Sequence, residues 1–235
     1  MKPVRFIPAC LVILASCQGN QEQEPTPAPA LAPVVPVVEW TGLYADTLPC
    51  ADCPGILTQL DLRADSTYVL RERYLERDSI PYGTIGKWSV KGDVVTLATF
   101  HKPMEWRMES DGLHRLDADG KPIDSPLNYT IRKVAHIDPL PMHLTGGYVY
   151  FADSHSFTPC GAGFALPVAM DPAGSPGAGP EMEKTYAKQV KEPPQPLYVQ
   201  VTASMREGPA MEGSGTEDYL HIDRLEGVLD LQACR

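Results

Sequence analysis

Ile56-Leu57-Thr58-Gln59-Leu60-Asp61-Leu62 sets Ile56, Thr58, Leu60 and Leu62 on one face of an extended chain and Leu57, Gln59 and Asp61 on the other. A polar turn, Ala64-Asp65-Ser66, follows, and a second alternating run covers residues 67–75. Period-two alternation about a short polar turn predicts a β-hairpin with one buried face. The same texture continues outward. Residues 84–90 and 94–100 flank Lys91-Gly92-Asp93, whose glycine can take the positive φ of a tight turn. Residues 104–108, 113–116 and 127–133 add three short strands, separated by Ser110-Asp111-Gly112 and by the loop 117–126. About seven strands follow one another in sequence order. Such a meander leaves two unpaired edges unless it closes, so a small antiparallel barrel is expected.

Beyond His136 the texture changes. Asp138-Pro139-Leu140-Pro141 is a proline-dense joint, which places a domain boundary near 140 and predicts a barrel over 39–137, a linker over 138–145 and a second domain over 146–235. Residues 147–151 read as an aromatic strand. In 181–191, Met182, Tyr186 and Val190 recur every four residues, one stripe of a short helix, with Pro180 near its start and Pro193-Pro194 past its end. Residues 197–206 and 219–231 read as closing strands. The fold class expected is therefore mainly all-β, two successive barrels with one short helix.

At the other end, Lys2 and Arg5 precede a short apolar stretch that ends in Leu14-Ala15-Ser16-Cys17. A basic start, an apolar core too short to span a bilayer and small residues before a cysteine resemble a bacterial lipobox. Residues 1–16 are then a lipoprotein signal peptide and Cys17 the lipidated residue. Gln18 follows, where this sorting pattern reads a residue other than Asp as export to the outer membrane, facing the periplasm. Residues 17–38 are rich in proline without periodicity, as expected of an extended tether. With Lys2 and Arg5 gone, the net charge moves from -10 to -12. That balance argues against nucleic acid and suits cationic partners or metal ions.

Trp40-x-Gly42-x-Tyr44, the segment LPCADCPGI over 48–56, LxLxxDxTY over 60–68 and GKWSVKGDVVTL over 86–97 resemble the NlpE family of copper-homeostasis and envelope-stress lipoproteins. Tyr150 with ADSHSFxxC over 152–160, Pro209-x-Met211-Glu212-Gly213 and Cys234 extend the resemblance less specifically. It implies a lipocalin-like amino-terminal barrel and an OB-like carboxy-terminal one. It also implies that a CpxA-like inner-membrane sensor kinase feels surplus or mislocalised protein through the first domain.

Of six cysteines, Cys10 leaves with the signal and Cys17 takes the lipid, so Cys50, Cys53, Cys160 and Cys234 remain. Four thiols allow three pairings. In an oxidising compartment, supplied by a periplasmic disulfide oxidase, the economical one joins Cys50 to Cys53 and Cys160 to Cys234. A Cys160–Cys234 bridge would pin the last strand, or sense failing oxidation. Cys50-Ala51-Asp52-Cys53 has several readings. A thioredoxin-like site needs a helix after the motif, and Pro54-Gly55 and a strand stand there instead; zinc needs two more ligands at matching spacing. Cu(I) takes soft thiolates and so fits reduced Cys50 and Cys53, with His101, Met104, Met108, Met142 or His143 as further donors. A disulfide that stiffens a contact loop is the fourth reading.

Ser154-His155-Ser156 has no elbow glycines around either serine and no acid partner assignable from sequence, the glycine runs do not open a helix after a strand, and the chain reads as a non-enzyme with no catalytic residues. Two alternatives to stress signalling are kept. One is a lipocalin-like carrier of a small apolar ligand, disfavoured if Trp88 and Trp106 plug the barrel; the other is a Cu(I) buffer without a signalling partner.

Overall fold

The computed structural model describes residues 40–169, 177–210, 213–230 and 234. The expected signal peptide, lipidated Cys17 and tether lie outside the described residues. The described residues all belong to one compact unit.

Eight antiparallel strands come first: β1 Gly42–Leu48, β2 Ile56–Leu62, β3 Thr67–Tyr74, β4 Tyr82–Lys91, β5 Val94–Leu97, β6 Met104–Glu109, β7 Gly112–Arg115 and β8 Thr130–Val134. The opening hairpin is β2–β3, with Leu60 opposite Leu70. Asp65 builds its turn by accepting from the Thr67 amide (2.9 Å) and hydroxyl (2.6 Å), while Ser66 takes φ 64°. Gly92, at φ 64°, turns β4 into β5. One strand more than expected is present. β1 pairs with both β2 and β8, and β4 pairs with β5, so the ring closes. Its polar Asp46-Thr47 interrupts the apolar alternation, which hid it from a period-two search.

The inward face is filled. Tyr44, Tyr68, Leu60, Trp88, Trp106 and Leu113 are buried in one cluster with other strand residues. Tyr68 donates to the Ala98 carbonyl (2.6 Å) and Trp88 to that of Arg63 (3.0 Å), so two of the large polar rings are satisfied while packed. Burial raises the Tyr68 hydroxyl well above the ordinary tyrosine range. A lumen plugged by Trp88 and Trp106 disfavours the carrier reading.

The second domain consists of β9 Met142–Phe151, β10 Ser154–Pro159, β11 Leu166–Pro167, α1 Gly179–Gln189, β12 Leu197–Pro209 and β13 Thr216–Val228. These five strands and one helix form the expected OB-like barrel. β9 pairs with β10 and β12, β12 pairs with β13, and the circuit is completed by an isolated bridge between Val168 and Leu220. Met182 and Tyr186 of α1 are buried, and Tyr186 donates to the Gln195 carbonyl (2.8 Å).

Residues 142–145 of the expected linker are already β9, and the separation of the two barrels is narrower than the prolines suggest. His143 pairs in parallel with Tyr82, and its amide donates to the Pro81 carbonyl (2.8 Å). Val69 and Ile85, on the outer face of the first barrel, are buried in the same core as Met142, Leu144, Val199 and Leu220. Gly161, at φ 78°, seats the second domain against the β5–β6 loop, since a Cβ there would lie 2.6 Å from the Phe100 nitrogen. At the far end of the β12–β13 arm, Asp218 forms an ion pair with Arg63.

Candidate functional site

In an eight-stranded meander alternate loops emerge at the same end. The β1–β2, β3–β4, β5–β6 and β7–β8 loops therefore share one mouth, and Trp40 with the three tight hairpin turns occupies the other end.

The Cys50–Cys53 loop is part of that mouth. The two residues are joined as a disulfide, with Cα atoms 5.3 Å apart. Three contacts fix its stems: Leu75 N–H donates to the Gly55 carbonyl (3.0 Å), Asn128 Nδ2 donates to the Thr47 carbonyl (3.1 Å), and Gly55 approaches so closely that a Cβ would meet Thr47 Cγ2 at 2.4 Å. Between the cysteines the loop is open to solvent. Asp52 takes hydrogen bonds from Arg77 Nη1 on both carboxylate oxygens, each 2.9 Å, and Arg77 lies 5.8 Å from the Tyr74 ring. Both charges are more than half exposed, so the pair orients the loop more than it stabilises it.

Cys50 Sγ, Cys53 Sγ and an Asp52 oxygen lie within 4.8 Å of one another. As a disulfide the pair offers no thiolate. After reduction it would present two thiolates beside a carboxylate, a donor set that fits Cu(I) through its sulfurs. The five further donors named from sequence do not join it. Met142 is fully buried in the core shared between the domains, and His143 bonds Glu226 at 2.9 Å. Met108 borders a cleft at the opposite end of the barrel, and His101 and Met104 line one that excludes both cysteines.

Cys160 and Cys234 form the second disulfide, with Cα atoms 5.0 Å apart. Cys160 follows β10, its amide donating to the Thr145 carbonyl (3.0 Å).

Two groupings had no sequence signal. Tyr148 OH lies 2.6 Å from His155 Nδ1, and His155 Nε2 lies 3.4 Å from Glu183 on α1. Burial lowers the His155 ring against the upward pull of Glu183 and Asp153, and burial raises the Tyr148 hydroxyl. Among the described residues the adjoining cavity measures only about 10 Å³. The other grouping is at the barrel mouth, where Arg115 stacks 5.0 Å from the Trp106 ring and Glu72 acts on it through space. Burial pushes the Glu72 carboxyl up, and Arg115 partly offsets it. Each residue has an ordinary strand position, so only the closed ring brings them together.

Comparison with known proteins covers both halves of the chain. The NlpE N-terminal domain matches residues 44–126 and the NlpE C-terminal OB domain matches residues 139–235. Lipoprotein NlpE of Escherichia coli strain K12 is 34% identical over 181 residues, 75% of this chain and 72% of that protein. Among solved structures, the Cpx pathway activator NlpE from Escherichia coli is 30% identical, covering 78% of this chain and 93% of that one, with a TM-score of 0.34. A putative lipoprotein from Shewanella oneidensis is also 30% identical, covering 42% of this chain and 92% of its own, with a TM-score of 0.37. With two thirds of a relative's length spanned at this identity and both domains matched in order, the chain belongs to the NlpE family.

Proposed function

We propose that the protein is a non-enzymatic sensor of envelope stress, anchored by lipid on Cys17 to the periplasmic face of the outer membrane and signalling to a CpxA-like sensor kinase. One observation carries this reading. The chain has both NlpE domains, and its Escherichia coli relative is described as the Cpx pathway activator. The barrel mouth suits a protein contact: a disulfide-stiffened loop, the Asp52–Arg77 pair and Leu127, 58% exposed, lie on loops at that end. A periplasmic disulfide oxidase would be the folding partner that supplies the two disulfides.

Retention decides the matter. A Gln18→Asp variant that stays on the inner membrane should raise output from a Cpx-type reporter, and shortening residues 18–38 in that variant should reduce it. Equal output from retained and exported forms at every tether length overturns the proposal, and absence of lipid on Cys17 in a fatty-acid labelling experiment overturns the anchor.

A second reading, Cu(I) binding by reduced Cys50 and Cys53, is favoured by the convergence of their sulfurs with Asp52. Titration of reduced protein with Cu(I) should show a site that Cys50→Ser with Cys53→Ser removes; unchanged affinity in the double variant eliminates it.

A further inference from the structure

A cleft of about 560 Å³ opens where the barrel mouth meets the second domain. Its size falls within the range of small-molecule sites, roughly 300–1,000 Å³. The walls come from both domains: Tyr82, Phe100 and Met104 from the first barrel, Pro159 and Gln200 from the second. Neither barrel alone makes it. Its floor is apolar, since Ile85, Leu116 and Leu144 line it while remaining nearly inaccessible.

The charged groups around this cleft are unequally occupied. Asp117 accepts the amides of Asp119 and Lys121 at 2.9 Å each, so its carboxylate is used by its own turn. Glu105 lies beside Thr96 and Gly120. His143 is bonded to Glu226. Arg115 is different: it lines the cleft, stacks on Trp106, and its guanidinium donates no hydrogen bond and forms no ion pair among the described residues. Lys102 stands at the same rim, its ammonium donating to the Ala118 carbonyl at 3.2 Å. A half-buried guanidinium with a free fork matches a carboxylate or phosphate in bidentate geometry. Glu72 acts on Arg115 through space without a direct ion pair among the described residues.

We propose that this cleft binds a single-chain amphiphile with an anionic head, the head on Arg115 with help from Lys102 and the chain along Tyr82, Phe100 and Met104. The packed lumen makes this a site between domains and not a carrier's barrel interior. It is independent of kinase signalling, so either can fail alone.

The test uses the chain from Gln18 onward, which contains all the described residues of the compact unit. Dodecanoate, dodecyl phosphate, dodecanol and acetate are titrated separately by calorimetry below their micellar concentrations. Saturable one-to-one binding is expected for one or both anionic chains, and the tighter of them identifies the head group. Acetate and dodecanol should bind at least tenfold more weakly. Arg115→Gln should weaken the anionic chain at least tenfold and Lys102→Gln less. Gln200→Trp, which fills the cleft from the second domain and leaves the barrel intact, should abolish binding with an unchanged melting profile. No saturable binding of either anionic chain, dodecanol binding as tightly as dodecanoate, or full affinity in both Arg115→Gln and Gln200→Trp would each overturn the proposal.

Discussion

The two barrels close in different ways. In the first, every strand has a hydrogen-bonded neighbour on both sides, including β1 between β2 and β8 and the β4–β5 seam. In the second, the last step of the circuit is a single bridge, Val168 to Leu220, with Ala169 N–H donating to the Leu220 carbonyl at 2.9 Å. A ring closed by one bridge needs other restraints. Those present are the Cys160–Cys234 disulfide and the apolar face borrowed from the first barrel through Val69 and Ile85. The first barrel is thus a scaffold closed by its own backbone, and the second is held shut from outside.

The largest effect should come from Cys160→Ser with Cys234→Ser. The bridge spans a sequence separation of 74 residues, and loop closure of that length is worth about 4 kcal/mol in the chain-entropy description. Hydrogen exchange should show protection lost in β9, β10 and β13 while β2 and β3 keep theirs; equal loss in both barrels would break the comparison. Next comes Ile85→Ala, which removes a buried side chain from the shared core and should cost about 3 kcal/mol. Ile85 belongs to the first barrel, yet chemical denaturation followed by Tyr186 and by Trp88 fluorescence should place the loss on the second domain. A loss seen only by Trp88 would show that the core is not shared.

The sequence reading missed this borrowed face: residues 67–75 were expected to alternate with one buried face, whereas Thr67, Tyr68, Val69 and Leu70 are buried in a continuous run, on both sides of the strand. Tyr68 and Leu70 fill the barrel while Val69 faces the second domain. The β2–β3 hairpin, the Gly92 turn and the α1 stripe were readable because each rests on neighbours in sequence. β1 was not, because its partners are β2 and β8 and its own Asp46 serves an ion pair with Arg132 instead of the alternation. The Cys50–Cys53 loop was visible from its spacing, but the Arg115 cleft depends on residues brought from β4, β6, β7 and β9 by closure and docking. No local pattern encodes it.

A smaller effect is expected from the first disulfide. Cys50 and Cys53 are only 3 apart in sequence, so their bridge restricts the unfolded chain by about 2 kcal/mol at most, and the loop's stems are separately hydrogen-bonded. Thermal melting of Cys50→Ser with Cys53→Ser should therefore fall less than that of the Cys160 and Cys234 pair. An equal or larger drop would mean that the mouth, not the second barrel, depends on its covalent link.

The smallest effect sharpens the joint itself. Burial alone would raise the Glu226 carboxyl, but hydrogen bonds from Thr202 and Arg224, and the bond and charge of His143, outweigh it and hold the group below its ordinary 4.5. A carboxyl that ionises more easily folded than unfolded adds stability that is fully present above its unfolded value and is lost as pH falls through the lower folded one. Glu226→Gln should thus be about 1 kcal/mol less stable at pH 7. The deficit should shrink as pH falls through the lowered folded value, where wild-type Glu226 itself becomes protonated. Because His143 also makes the bridge to Tyr82, the pH-dependent part of the loss should appear as faster exchange at the His143 amide, which donates to Pro81. A deficit independent of pH would assign Glu226 a packing role and leave the joint between the barrels to its apolar face alone.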